Sequence, residues 1–281
     1  MGASREFTAR ITPSFLIRWI AEGIVRPTQS GPNICYTRLI VLSYQRSGST
    51  MLVSALGSHT GCVCFSEIFN AARPMFWARG LNNNSRLLKA YRNAYPDRFL
   101  DRLIFSSYEQ GIQMAGFKAF PEHVKDSRFA GLLRSVIAHP EVKVIHLKRR
   151  NKLAQYLSLV RARQNGVWSS NDGKQDGQRT VYLDPRACRK AFERMEGDER
   201  FLDDLVRDRD VLTLVYEDFA RDVRAWFERA QAHVGLSIEP IQPSLSRQRL
   251  VPLSEAITNY EELRREFAGT VWEGFFNRQL D

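Results

Sequence analysis

Short apolar runs alternate with helical patterns along most of this chain. Arg38-Leu39-Ile40-Val41-Leu42 reads as a buried strand, a polar loop with one glycine follows, and apolar-periodic residues resume from Met51 to Leu56. Gly61-Cys62-Val63-Cys64-Phe65, the run 113–120, the run 140–147 and Val211-Leu212-Thr213-Leu214-Val215 predict further strands. Helical spacing recurs at Leu153, Leu157 and Val160, across 185–206, and at Val223, Phe227 and Ala230. The alternation predicts a three-layer α/β/α domain around a mainly parallel sheet of about five strands.

The chain divides into residues 1–36, a helical appendage (about 14–24) with a linker through Pro27, Gly31 and Pro32, and residues 37–281, one α/β domain. The apolar segment 15–25 is too short and too charged to span a bilayer, and no cleavage-site pattern follows it, so a cytoplasmic enzyme is expected. Two fates stay open for that amphipathic segment: peripheral membrane contact through residues 14–25, or packing against the body.

At 281 residues the chain is ample for one core, and a net charge of +10 points to an anionic partner. The cations are scattered among 31 acidic residues without a Lys/Arg block or a nucleic-acid module, so no nucleic-acid partner is expected. Cys35, Cys62, Cys64 and Cys188 lack the spacing of a zinc site and read as reduced and structural, with Cys62-Val63-Cys64 expected on opposite strand faces. Oligomeric state is not set by the pattern; a homodimer is compatible with it.

The chemistry gathers at the predicted strand ends. Ser43-Tyr44-Gln45-Arg46-Ser47-Gly48-Ser49-Thr50 joins strand to helix, where unpaired N–H groups and a positive dipole end favour an oxyanion. Against the nucleotide-kinase loop, Gly48 and Thr50 hold register, but Ser43 replaces the first glycine and Ser49 the lysine; the cation is Arg46. Glu67 lies just beyond a strand, either beside the bound anion or as a surface glutamate at a helix start. Lys118 is the lone charge of its strand, either buried against an anion or on an edge facing water.

Lys148-Arg149-Arg150 crowd another strand end, and Arg150 and Ser158 stand eight positions apart, close enough on a helix to share one phosphate. Asp218, after an apolar strand, suits a magnesium site or the N-cap of the helix holding Val223. Phe76, Trp77 and Trp168 can stack on sugar faces or cover core, the stretch 169–180 reads as a loop over the cleft, and Arg247 and Arg249 sit in a late basic loop.

The loop around Arg46, the Arg150/Ser158 pair and Tyr216-Glu217-Asp218 resemble the sulfotransferases that use 3′-phosphoadenosine 5′-phosphosulfate (PAPS), from about residue 37 to 265. A glutamate about twenty residues after the loop cation, the segment 149–156 and Gly166-Val167-Trp168 are most similar to bacterial carbohydrate sulfotransferases of the trehalose and nodulation-factor type. The resemblance implies a P-loop sulfotransferase fold. It also implies that Arg46, Ser47, Gly48, Ser49 and Thr50 hold the 5′-phosphosulfate, that Arg150 and Ser158 bind the 3′-phosphate, and that Arg247 and Arg249 contribute to the cofactor site. Glu67 would be the base, assisted by Lys118 and Arg46, with adenosine 3′,5′-bisphosphate (PAP) as product, no metal required, and a sugar or glycolipid hydroxyl as acceptor. Two rivals remain: a P-loop kinase, which needs a lysine after Gly48 and a magnesium aspartate, and a non-catalytic nucleotide binder with a degenerate loop.

Overall fold

The computed structural model describes residues 35–71, 77–78, 81–82, 86–108, 110–166, 180–219, 222–241 and 251–276. The expected helix at 14–24, Phe76, Trp168, nearly all of the stretch 169–180, and the loop with Arg247 and Arg249 lie outside them, as does the side chain of Trp77.

In chain order the elements are β1 (Thr37–Ser43), α1 (Ser49–Leu56), β2 (Cys62–Phe65), the two-residue strands β3 (Trp77–Ala78) and β4 (Leu81–Asn82), α2 (Arg86–Ala94) and α3 (Pro96–Phe99). Then come a π turn (Leu100–Ile104), β5 (Met114–Ala119), α4 (Pro121–Lys125), α5 (Ala130–Ala138), β6 (Val142–Lys148), α6 (Lys152–Asn165) and α7 (Pro185–Leu205). The chain continues through β7 (Val211–Val215), α8 (Tyr216–Phe219), α9 (Val223–His233), α10 (Leu253–Ala256), α11 (Tyr260–Glu266) and a final turn at Glu273–Phe276.

Five strands form one sheet in the order β2-β5-β1-β6-β7, and every pairing in it is parallel. Two-residue alternation splits β1 between two cores. Ile40 and Leu42 join Phe69, Phe99, Phe117, Phe129 and Leu202 on one face. Leu39 and Val41 join Leu52, Ile145, Trp226 and Phe227 on the other. Helices therefore cover both faces, and β1, buried along both, reads as a continuous apolar run. A third cluster, with Leu153, Leu157, Phe192, Leu263 and Phe267, fastens the C-terminal helices to α6 and α7.

Two local expectations are corrected. Cys62 and Cys64 share one face while Val63 and Phe65 share the other, as residues two apart on a strand must. All four cysteines are free thiols. The cap of α9 is Asp222, whose side chain accepts from the Ala225 N–H, because Tyr216–Phe219 first makes its own helical turn and moves the start four residues on.

Candidate active site

The loop between β1 and α1 turns on two left-handed residues, Arg46 at φ 62° and Gly48 at φ 90°. Gly48 is required twice over. An L side chain there would be strained, and its Cβ would come within 2.6 Å of the Tyr216 ring. No side chain caps α1, so its first-turn N–H groups lie behind the loop without a side-chain acceptor from the cap. The loop's carbonyls are held from within and from α6 and its lead-in: Ser47 Oγ donates to Tyr44 O at 2.7 Å, Gln155 Nε2 to Gln45 O at 2.7 Å, and an Arg149 N–H to Arg46 O at 3.0 Å. Arg149 also lies over the Tyr216 ring, 4.6 Å from its centroid. The Arg46 side chain turns toward α6, where Nε donates to Ser158 Oγ at 2.9 Å.

Lys118 belongs to an interior strand and is 2% exposed, which removes the edge-strand reading. The anion it meets is Glu67: Nζ stands 3.1 Å from Glu67 Oε1 and donates to Thr50 Oγ1 at 2.8 Å. Parallel pairing makes this possible, because β2 and β5 are neighbours and Glu67 follows the end of β2 directly. Burial opposes charge on Glu67, but the Lys118 ammonium, the Asn70 amide at 2.9 Å and nearby His123 outweigh it and hold its pKa below the ordinary glutamate value.

The turn carrying Glu67 is braced from behind. Arg92, fully out of solvent, donates through one terminal nitrogen to Ile68 O at 2.9 Å and Asn70 O at 2.7 Å, and its guanidinium lies 5.0 Å from the Phe129 ring centroid. Burial, with Arg128 nearby, pulls its pKa down to about 10.

At the end of β6 the three cations part company. Lys148 pairs with Asp203 at 2.6 Å, and His146 Nδ1 meets the same carboxylate at 3.2 Å, so Lys148 ties β6 to α7. Arg149 supports the loop. Arg150 pairs with Asp218, and Glu217 accepts from the Arg150 and Asn151 N–H groups at 3.0 and 2.9 Å. Ser158 and Arg150 thus stand on the same helix and its lead-in, with Ser158 bonded to Arg46 and Arg150 held by carboxylates. Among the described residues, no cluster of three or more His, Cys, Asp or Glu could hold a metal ion, and no helix is long and apolar enough to cross a membrane.

Glu217, Tyr216, Gln155, Asn70 and Arg92 all support this site, and sequence reasoning gave none of them that role. The Tyr-Glu-Asp triplet was a signal for the first two. The others act through contacts made by the tertiary fold, and no local pattern marks them.

The profile of the family described as Stf0 sulphotransferase matches residues 38–262. The chain is 24% identical to nodulation protein H of Rhizobium tropici over 84% of its own length and 92% of that protein. It is 25% identical to nodulation protein H of Rhizobium meliloti (strain 1021) over 71% of its length and 86% of that protein. A solved sulfotransferase from Alicyclobacillus acidocaldarius aligns with 91% of this chain and 97% of its own at 18% identity, with a TM-score of 0.43. The family match spans most of the chain, including β1, its loop, Glu67, Lys118 and the β6–α6 junction: the protein belongs to the Stf0 sulphotransferase family and is a sulfotransferase.

Proposed function

We propose that the protein moves the sulfuryl group of PAPS to a hydroxyl of a carbohydrate or glycolipid acceptor, with Glu67 as general base. The observation that carries this reading is the position of Lys118 Nζ, in contact with both Glu67 and Thr50. A base, a cation and the phosphate loop meet at one point. PAPS supplies an activated sulfuryl group with a phosphate as leaving group. The loop fits such an anion: two of its residues are left-handed, no side chain caps the helix behind it, and a buried ammonium lies at its edge.

In this reading the loop N–H groups with Arg46, Ser47, Gly48, Ser49 and Thr50 hold the 5′-phosphosulfate. Arg150 and Ser158 bind the 3′-phosphate, and Arg247 and Arg249 contribute to the cofactor site. Glu67 is kept ionised at neutral pH and takes the acceptor proton at its carboxylate, while Lys118 and Arg46 offset the charge that develops between the sulfuryl group and its leaving oxygen. Phe76, Trp77 and Trp168 are proposed to face the acceptor. The two nodulation-protein relatives and the resemblance to carbohydrate sulfotransferases support a sugar as acceptor.

A kinase would want its magnesium aspartate available, whereas Asp218 is paired with Arg150. The test is thermal. PAP should raise the melting temperature without magnesium, and ATP should do so weakly. Equal stabilisation by ATP with strict magnesium dependence would overturn the reading. A PAPS-binding protein that transfers no label from sulfuryl-labelled PAPS to any hydroxyl acceptor would instead be the non-catalytic binder.

A further inference from the structure

The start of α4 carries a carboxylate that the scheme above leaves unused. Glu122 follows the end of β5, so along the crevice it stands between Glu67, beyond β2, and Gln45, beyond β1. Gln45 Nε2 donates to Glu122 Oε1 at 2.5 Å, and Gln155 holds the Gln45 carbonyl, so the pair is fixed to the loop residue next to Arg46. Its own backbone N–H also bonds this carboxylate, but among the described residues no cation pairs with it. Such a group beside a reactive centre is costly unless a ligand uses it. Burial, with Glu67 and Asp198 nearby, also raises its pKa.

A donor in the same turn lacks a partner. His123 is 3% exposed and its Nδ1 accepts from the Phe120 N–H at 3.1 Å, which puts the proton of the neutral ring on Nε2. That Nε2 is buried without a hydrogen-bond partner.

We propose that Gln45 and Glu122 form a subsite that reads a second hydroxyl of a neutral carbohydrate acceptor, beside the hydroxyl that Glu67 deprotonates. Carboxylate and carboxamide side by side give acceptors and donors matched to adjacent hydroxyls, and two carboxylates, Glu67 and Glu122, disfavour an anionic acceptor. The proposal rests on the acceptor reading above.

The test uses the full chain, labelled PAPS, and two neutral probes, trehalose and chitotetraose, with PAP-induced thermal stabilisation measured in parallel. Glu122→Ala should raise the KM for the turned-over sugar by about tenfold or more while changing kcat by less than about threefold and leaving the PAP response intact. Glu122→Gln keeps the shape and half the hydrogen bonding, so its KM should fall between the two; it serves as the readout where the alanine variant does not fold. A sugar KM within about twofold of wild type in both variants, with the PAP response intact, overturns the subsite. Binding of PAP without turnover of either neutral sugar overturns the choice of ligand. Absence of a PAP response in the wild-type protein counts instead against the PAPS reading.

Discussion

Lys118 and Glu67 form an ion pair whose lysine is 2% and whose glutamate is 14% exposed, where the loop after β1 meets Thr50 at the start of α1. A pair this enclosed is held by geometry, since each charge would be costly alone. It also keeps the Glu67 carboxyl ionised below its ordinary range despite burial.

Glu67→Gln keeps the shape of that side chain and removes its basicity. kcat should fall by about 10²–10⁴-fold, with PAP-induced stabilisation unchanged. Retention of more than about a third of wild-type kcat, measured where chemistry limits the rate, would show that Glu67 is not the base.

Lys118→Met removes the main charge that offsets burial at Glu67. Stability should drop by about 3–5 kcal/mol, and Lys118→Met/Glu67→Gln should recover part of it. The pH dependence should change sign. In the wild type Glu67 titrates below its ordinary 4.5, so its stabilisation is present above that value and lost as pH falls through the folded pKa. In Lys118→Met burial dominates and raises the pKa, so acidification relieves the fold. Melting curves from pH 7 to 4 check this, and parallel curves for the two proteins would count against it.

Arg150→Ala tests the assignment of the 3′-phosphate. Affinity for PAP should weaken by about 1.5–3 kcal/mol, the range for a charge-assisted hydrogen bond, with little change for adenosine 5′-phosphosulfate. Equal losses for both ligands in calorimetric titrations would remove Arg150 from that role.

Two buried histidines should make the fold acid-sensitive before most carboxylates titrate. Burial lowers both His123 and His146 from 6.5 to about 4. Between those values the unfolded chain takes up protons that the folded chain refuses, so stability falls as pH drops through that window. His123→Gln should flatten the slope of melting temperature against pH; an unchanged slope would mean that His123 titrates normally.

Much of this architecture was legible in the residues. Apolar runs located the five sheet strands, the glycine and serines after β1 located the loop, and position just beyond a strand singled out Glu67. What was not legible is adjacency. Nothing local to residues 114–119 says that this strand inserts between β1 and β2, and only that insertion brings Lys118 to Glu67 and Thr50. Arg92 reads as an ordinary helical cation until the fold puts it under the Glu67 turn. Asp218 and Asp222 are equally good caps by composition, and the turn at Tyr216–Phe219 decides between them.

The sheet order separates two groups of site residues along the chain. β2 and β5 lie on one side of β1 and carry Glu67, Lys118 and Glu122; β6 and β7 lie on the other and lead to Arg149, Arg150, Tyr216 and Glu217. Because the chain crosses β1 only once, between β5 and β6, each half is also one contiguous stretch of sequence, joined by the shared loop at the end of β1. Recombination between relatives, with one breakpoint after β2's preceding helix and another before β6, would exchange Glu67, Lys118 and Glu122 together while the residues after β6 and β7 keep the contacts they already make. A lineage can therefore replace the carboxylate–lysine side of this cleft by inheriting one segment, with no need to rebuild the junction on the other side of β1.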